Sequence, residues 1–348
     1  MAAAVLLVAG AALAFAVGGG DSTSSPSNST LALTIAADTE GAERRAMERA
    51  LRRGVTQAGE LGGSVEAAAM LGSWRHPVVV ASAPAGEERW MRMWSMSKVV
   101  AAVALLRAKH WGDQPGEELS PEVEESLRAA MTRSENCPQR RIVIELQHSL
   151  GDSPARAREA VAEVLRIAGG KARPGEEVAL PDLACVEFLE GQVDVPEPLA
   201  PALLLGTSEW RVGDAVRLMR ALGEDAFGAA VSRRILDLMR EPKLRSREAL
   251  PSEFTAPVDW GTGRALRRLD PAYKAGWGGA QQGAFMAGQM ALLSLPSGAR
   301  AAVAVMFHPT VQPAIDDPGL TSAPEALEVV MRSLGEELER AQQPAGPR

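Results

Sequence analysis

Ser95 and Lys98 are the residues whose types and spacing first suggest chemistry in this chain. They lie three positions apart in the stretch 91–106, where apolar residues recur at helical spacing, so both are expected on one face of a helix's first turn. That placement can bring an amine within reach of a hydroxyl, and we expect Ser95 to cap the helix. The same pattern also fits an ordinary capped amphipathic helix with a surface lysine, because Ser-x-x-Lys is common.

Two further polar clusters follow along the chain. Ser134-Glu135-Asn136 interrupts two helical patterns, and Lys274-Ala275-Gly276 lies on a predicted strand. Taken alone, Ser134 and Asn136 could simply cap the next helix. Lys274 could equally be an exposed strand lysine, with the nearby glycines marking a bulge or a turn. The clusters therefore need elements that bring them together before they indicate a site.

The predicted elements indicate an α+β fold. Apolar periodicity predicts an opening helix at 38–57, strands at Ser64–Met70 and Pro77–Ser82, and a closing helix at Pro324–Arg340. Three more strands are predicted at Tyr273–Gly279, Phe285–Leu295 and Ala301–Phe307. The helices predicted between the two groups of strands, besides the one with Ser95, are Pro121–Met131, Arg140–His148, Ser153–Ala168, Thr207–Leu222 and Ala229–Met239. We expect a five-stranded antiparallel sheet flanked by the N- and C-terminal helices, with an inserted all-α lobe.

Composition restricts the classes of function. The net charge is −7, so no basic face is expected and a nucleic-acid partner is not predicted. Two cysteines and four scattered histidines offer no metal-ligand spacing, and no metal or other cofactor is predicted. The length of 348 residues is enough to bury a sizeable core.

The N-terminus differs from the rest of the chain. Residues 1–17 are apolar, with a length typical of a signal peptide, although no basic residue precedes the apolar run; an uncleaved membrane anchor is the alternative. We predict a flexible linker at 18–37, a domain at 38–340 with its α lobe at about 95–262, and a disordered tail at 341–348. The chain is therefore expected to be exported, either extracellular or associated with the cell envelope.

With the three clusters in order, the chain resembles serine β-lactamases and penicillin-binding proteins, in particular class A β-lactamases. Their signature is Ser-x-x-Lys, Ser-x-Asn and Lys-(Thr/Ser)-Gly. Here the first motif opens a helix after two strands, the second lies between helices, and the third lies on a strand followed by two more. The resemblance covers roughly residues 38–340.

The resemblance implies an acyl-transfer reaction. Ser95 would attack a carbonyl group, and Lys98 would take the serine proton if burial and the nearby cation Lys274 lowered its pKa. Ser134 would pass a proton to the leaving nitrogen. Ser97 is a second serine at the start of the helix, but the spacing to Lys98 favours Ser95 as the nucleophile.

The same resemblance implies how a substrate would be bound. Asn136 would hold the substrate amide or orient the catalytic lysine, and Lys274, next to Gly276, would attract the substrate carboxylate. The backbone N–H groups of Ser95 and Trp277 would form the oxyanion hole.

Three departures from the family pattern matter. Ala275 stands where a hydroxyl residue is usual, and the gap of 39 positions between the first two motif serines (134 − 95) is shorter than usual. The loop at 184–198 lacks the Glu-x-x-Leu-Asn motif of class A enzymes. That loop does contain four acidic residues without the motif around them, so no deacylation base is assigned: Glu187, Glu190, Asp194 and Glu197.

Cys137 follows the second motif directly, and Cys185 lies in the loop just described. In an exported protein such a pair favours a disulfide, although two buried thiols are the alternative. The bond would tie the loop to the site across 48 positions (185 − 137).

The sequence thus predicts an exported serine hydrolase that acts through an acyl-enzyme on a β-lactam or a D-Ala-D-Ala-type peptide amide. Its partner would be that small molecule or a peptidoglycan stem peptide, and the protein is expected to be a monomer. The alternative is a catalytically weakened accessory or binding protein of the cell envelope, favoured by Ala275 and by the missing base motif. An ester hydrolase is a lesser possibility.

Overall fold

A computed structural model of the chain describes ten ranges of residues: 28–71, 78–86, 88–112, 118–171, 173–174, 208–243, 262–278, 285–295, 298–311 and 322–341. The chain divides into two units, residues 1–41 and residues 42–348. The sheet and the polar clusters all belong to the second unit. The predicted signal peptide or anchor at 1–17 lies outside the described residues.

The main sheet has five antiparallel strands. They are β1 (Gly63–Leu71), β2 (Val79–Ala83), β6 (Ala272–Gly278), β7 (Met286–Ser294) and β8 (Arg300–Pro309), in the order β2-β1-β8-β7-β6. The strands β3 (Met91–Arg92), β4 (Arg173–Pro174) and β5 (Ser208–Trp210) form a separate small sheet. The α+β class and the five-stranded antiparallel sheet are confirmed, and β6, which carries Lys274, is an edge strand of that sheet.

Helices cover both faces of the sheet. Their bounds are α1 Asn28–Gly59, α2 Ser97–Ala108, α3 Pro121–Thr132, α4 Asn136–Ser149, α5 Pro154–Ile167, α6 Val212–Gly223, α7 Ala229–Arg240, α8 Thr262–Ala265 and α9 Ala323–Ala341. Alternate residues of each strand face opposite sides. Ala67 and Ala69 of β1 pack with Leu51 of α1 and Leu327 of α9, whereas Ala68 packs with the α lobe. The two apolar layers hold the lobe and the sheet together.

The helix α2 runs through the middle of the lobe. Nine of its twelve residues are buried, including Lys98. Its apolar side chains pack against those of its neighbours α4, α5 and α7 in one continuous core. Burial on nearly all sides fixes the position of α2, and with it the turn that precedes the helix.

Two local features of the structure were not predicted. The helix α1 begins at Asn28, inside the stretch 18–37 that was predicted to be a flexible linker. Residues 31–37 (LALTIAA) are mostly good helix formers, which explains why the helix extends through them. The small sheet was not predicted, because strands of two or three residues show no periodicity. Among the described residues, no helix is long and apolar enough to cross a membrane.

Candidate active site

Ser95 lies in a short 3₁₀ turn, Trp94–Met96, that leads directly into α2. The helix itself begins at Ser97, with Met96 at the cap position and no side-chain cap, so the prediction that Ser95 caps the helix is wrong. Trp94 has a φ of +44°, a left-handed conformation that is rare for a bulky residue. This turn presents Ser95 at the start of the helix, where its side chain is half-buried and still open to a ligand.

Lys98 occupies the centre of the cluster. Its Nζ lies 2.9 Å from Ser95 Oγ, 2.8 Å from Asn136 Oδ1 and 2.5 Å from the backbone oxygen of Ser134. The residue is only 2% exposed. Ser97, by contrast, donates its hydroxyl to the backbone oxygen of Trp94 at 2.7 Å. Ser95 is therefore the serine of this turn whose hydroxyl meets an amine.

Ser134 faces a second lysine. Its φ of +59° places it in the left-handed region, with its backbone oxygen toward Lys98 and its Oγ 2.7 Å from Lys274 Nζ. Glu135 occupies the cap position of α4, without a side-chain cap. The alternative that Ser134 and Asn136 only cap the following helix is therefore wrong: one precedes the cap position, and the other is the first helical residue.

A buried ion pair holds the loop on either side of Ser134. Arg133 Nε lies 3.0 Å from Glu135 Oε1, and Arg133 Nη2 lies 2.6 Å from Glu125 of α3. Burial alone would lower the pKa of Arg133, but its hydrogen bonds to Glu125 and Glu135 outweigh that effect and raise it. The pair bridges the residues before and after Ser134, and so it supports the strained backbone between them.

Gly276 allows strand β6 to approach the Ser95 turn. A Cβ added there would lie 2.7 Å from Met93 O and 2.9 Å from the Met96 nitrogen, closer than real Cβ atoms come. Any side chain at this position would push the strand away from the turn. Trp277, the next residue, is half-buried, and Ala275 is 3% exposed.

The two lysines make the interior of the site electrostatically unusual. Lys274 is 1% exposed, and its Nζ also donates to the backbone oxygen of Ala275 at 2.7 Å. Burial lowers the pKa of Lys274 well below its usual value, and repulsion from Lys98 and Lys243 lowers it further. A lowered pKa means that this amine gives up its proton more readily than a lysine in water does.

The site thus brings together the Ser95 hydroxyl, a buried amine beside it, and a second hydroxyl that is hydrogen-bonded to another amine. Such a set can support nucleophilic attack with proton transfer. Residues 175–207, with the four acidic side chains considered for deacylation and with Cys185, lie outside the described residues. No cluster of three metal-ligating side chains occurs in the described ranges.

Sequence reasoning missed several supporting residues. Lys243, which follows the end of α7, was not singled out, nor was the pair Arg133–Glu135 around the second motif. The sequence does contain a signal for the pair Arg133–Glu135, because two residues of opposite charge flank the serine that lies between two predicted helices. Nothing in the local pattern around Lys243 predicts that its amine is enclosed beside strand β6.

Comparisons with known proteins place the fold. No protein-family model and no curated protein sequence matches the chain. Among solved structures it is similar to a class A β-lactamase from Bacteroides cellulosilyticus, with 13% identity, a TM-score of 0.53, and coverage of 84% of this chain and 99% of that one. For a β-lactamase from Sphaerobacter thermophilus the identity is 16%, the TM-score 0.52, and the coverage 86% and 99%.

PBP-A is also similar, with 15% identity, a TM-score of 0.52, and coverage of 84% of this chain and 96% of that one. Identities this low speak to the fold and not to activity. The likeness extends over most of this chain and nearly all of each of these structures. The chain has the fold of serine β-lactamases and penicillin-binding proteins.

Proposed function

We propose that this protein is an exported serine hydrolase that forms an acyl-enzyme at Ser95 with a β-lactam or a D-Ala-D-Ala-type peptide amide. The observation that carries the proposal is the 2.9 Å contact between Lys98 Nζ and Ser95 Oγ inside a buried, lysine-rich site. The fold supports it by analogy, because its structural neighbours include β-lactamases and PBP-A.

The proposed acylation can be written with each proton accounted for. The unprotonated amine of Lys98 accepts the Ser95 hydroxyl proton as Oγ bonds to the substrate carbonyl carbon. The carbon–nitrogen bond then breaks, and the leaving nitrogen receives a proton from the Ser134 hydroxyl. Ser134 recovers a proton from Lys274, whose Nζ already donates to Ser134 Oγ at 2.7 Å. Repulsion between two buried amines opposes protonating both, which favours an unprotonated base.

Substrate binding follows from the same geometry. Lys274 would attract the substrate carboxylate, and Asn136, which is exposed beside Lys98, would contact the substrate amide. The oxyanion hole would be formed by the N–H groups of Ser95 and Trp277. The close approach of β6 to the Ser95 turn at Gly276 supports this assignment, because it brings the two backbone segments together.

One structural neighbour supports the substrate class. A single-residue variant of PBP-A, 15% identical to this chain with a TM-score of 0.51, is described as an acyl-enzyme complex with penicillin G. A protein of the same fold therefore holds a β-lactam covalently. We extend that chemistry to this chain as part of the proposal.

Labelling with a fluorescent penicillin tests the proposal. We expect covalent label on Ser95 and its loss in Ser95→Ala. The matched control is Ser97→Ala, because the Ser97 hydroxyl contacts only a backbone oxygen in the described hydrogen bonds and its removal should leave labelling intact. If the intact protein takes no label and turns over neither nitrocefin nor a D-Ala-D-Ala peptide, the proposal is wrong for these substrates.

The second candidate is a weakened accessory or binding protein. Ala275 favours it, because the position usually supplies a hydroxyl and here is a buried methyl group. Mass spectrometry of the labelled protein over time separates the two candidates. A label that leaves within minutes supports a hydrolase, whereas an adduct that persists for hours supports a binding protein that traps its ligand.

We also propose the disulfide between Cys137 and Cys185. It is supported by the burial of Cys137 at the start of α4 and by the absence of a free cysteine from the described part of the chain. Loop-closure entropy would make such a bond worth roughly 3–4 kcal/mol of stability. Peptide mapping without reduction should yield the linked peptides, and alkylation of both thiols in the unreduced protein would rule the bond out.

Export and its route are part of the proposal as well. N-terminal sequencing of protein recovered from a secreting host would detect cleavage after the apolar segment 1–17. A full-length N-terminus in the membrane fraction would favour the anchor instead.

A further inference from the structure

The distribution of lysines in this chain is uneven. Of the 37 basic residues, only five are lysines (98, 109, 171, 243 and 274), and the remaining 37 − 5 = 32 are arginines. Two of the five, Lys98 and Lys274, are buried in the candidate site. A third, Lys243, acts electrostatically on Lys274. Lysine differs from arginine because burial can remove its proton. In a chain rich in arginine, the lysines at these positions therefore indicate groups that can change their charge.

Lys243 follows the end of α7 and contacts the strand that carries Lys274. Its Nζ donates to the backbone oxygen of Met239 at 2.8 Å and lies 4.8 Å from the centre of the Tyr273 ring. Tyr273 directly precedes Lys274 on β6. The residue as a whole is half-buried, but its amine is enclosed between the helix end and the ring.

Few opposing charges act on this amine. Glu241 is the described carboxylate that favours its charged form, and Glu241 is itself bound to Arg128 of α3 at 3.1 Å. Across the same helix end, Arg240 pairs with Asp237 and Asp270 at 3.2 Å each. Glu241, the carboxylate described as acting on Lys243, is thus shared with an arginine, and the neighbouring Asp237 and Asp270 are paired with Arg240.

The balance of these effects brings the pKa of Lys243 close to neutral pH. Burial lowers the pKa of Lys243 to about 7, although Glu241 raises it. Around neutral pH this residue therefore exists in both forms, and only its charged form repels the proton on Lys274. The geometry supplies the connection, because the Lys243 amine lies over the ring of Tyr273, the residue that directly precedes Lys274 on β6.

We propose that Lys243 is a positioning residue whose charge sets the protonation state of Lys274. Through Lys274 it sets the charge that meets the Ser134 hydroxyl and the carboxylate of a bound substrate. The catalytic consequence rests on the proposed function, whereas the coupling between the two lysines does not. Below pH 7 a charged Lys243 repels the proton from Lys274, and above pH 7 the loss of that charge lets Lys274 hold its proton more firmly.

Nuclear magnetic resonance of the lysine side-chain nitrogens tests the coupling directly. The full chain has only five such signals, which can be followed against pH in protein labelled at lysine. In Lys243→Met, which keeps an apolar chain over Tyr273, the Lys274 midpoint should rise by at least about half a pH unit. In Lys243→Arg, which keeps a permanent charge, it should stay low. Lys109→Met, which removes a lysine paired with Glu145, is the control and should leave it unchanged.

An unmoved Lys274 midpoint in folded Lys243→Met would overturn the proposal. Should that variant not fold, Lys243→Gln and Lys243→Arg give the same contrast between a neutral and a charged side chain. The second readout is the pH profile of acylation by penicillin. In Lys243→Met, the pH at which the acylation rate is half-maximal should shift together with the titration midpoint of Lys274. In Lys243→Arg, that pH should stay where it is in the unchanged protein. A merely structural role of Lys243 would instead lower the rate equally at every pH.

The two readouts separate this proposal from the proposed function. If Lys274 shifts but the intact protein is never acylated, the coupling stands and the hydrolase proposal fails. If acylation at Ser95 proceeds but Lys274 and the pH limb do not respond to Lys243, the hydrolase proposal stands and the coupling is refuted.

Discussion

Two groups of basic residues in this protein, the arginines of its inner ion pairs and the lysines of the candidate site, have opposite surroundings. The arginines meet carboxylates: Arg133 binds Glu135 and Glu125, and Arg211 and Arg217 both bind the fully buried Asp214. The hydrogen bonds described for the two site lysines go instead to neutral oxygens. An arginine paired with a carboxylate stays charged, whereas a buried lysine among neutral groups can lose its proton.

The difference distinguishes residues that hold the backbone in place from residues that could take part in proton transfer. Asp214 also accepts the backbone N–H of Lys171 at 3.1 Å and so fastens α6 to the segment before β4. Arg133 and Glu135 fasten the loop around Ser134. In each case a fixed charge holds backbone segments in place, whereas burial and the neighbouring lysines lower the pKa of Lys274. The comparison predicts different consequences when each kind of residue is changed.

The largest effect is expected when a site lysine is given the permanent charge of an arginine. Lys98→Arg should lower the acylation rate about 10²–10⁴-fold, because a guanidinium cannot accept the Ser95 proton. Lys98→Met should lose as much. Stopped-flow measurement of fluorescent-penicillin labelling gives the rate. A Lys98→Arg variant that keeps even a tenth of the rate would remove the base role from Lys98; Lys109→Arg serves as the control.

The matching change in a structural pair should act on stability. Arg133→Met leaves Glu135 buried at 5% exposure without that partner, which is expected to cost about 3–5 kcal/mol of unfolding free energy. Arg52→Met removes an exposed pair with Glu48 and should change it by under about 0.5 kcal/mol. Urea denaturation measures both. Equal effects of the two changes would show that burial does not distinguish them.

Lys243 should destabilise the fold in a pH-dependent way. Its pKa falls from 10.5 in the unfolded chain to about 7 in the folded one, so between those values the unfolded state binds more protons and stability rises with pH. Lys243→Met should therefore be stabilised most below pH 7, by at most about 5 kcal/mol, and the gain should vanish toward pH 10.5. Urea midpoints of both proteins at pH 6, 8 and 10 measure this. A difference that does not shrink with pH would contradict the lowered pKa.

Much of this architecture follows from the sequence, for identifiable reasons. The strands β1 and β6–β8 are five or more residues long and apolar, so their pattern predicts them. The turn at Ser95 was mistaken for a cap because nothing in the sequence indicates a left-handed Trp94. That conformation depends on tertiary packing: a Cβ at Gly278 would lie 2.7 Å from the Trp94 ring. The same holds for Gly276: that this position has no room for a side chain becomes clear only when β6 lies against the Ser95 turn.

The motif residues could be found from the sequence, because acyl transfer requires particular residue types at a particular spacing. Lys243 belongs to no such spacing and could not be found in that way. Its amine is enclosed by Met239 of α7 and by Tyr273 of β6, a residue 30 positions further along the chain (273 − 243). The rarity of lysine in the chain is the signal that could have singled it out. Five lysines among 37 basic residues invite the question of where each one lies.

The smallest expected effect concerns Ala275, next to the lysine that would bind the substrate carboxylate. Ala275→Ser restores a hydroxyl and should improve apparent affinity for a carboxylate-bearing β-lactam by about 1 kcal/mol, roughly fivefold. The gain should appear in the concentration dependence of labelling and not in its limiting rate, because a ground-state contact strengthens binding without aiding the chemical step. Ala272→Ser, on the same strand but further from the Ser95 turn, is the matched control. If Ala275→Ser raises the limiting rate instead, the hydroxyl takes part in catalysis, and its absence from this chain favours the weakened accessory protein over the hydrolase.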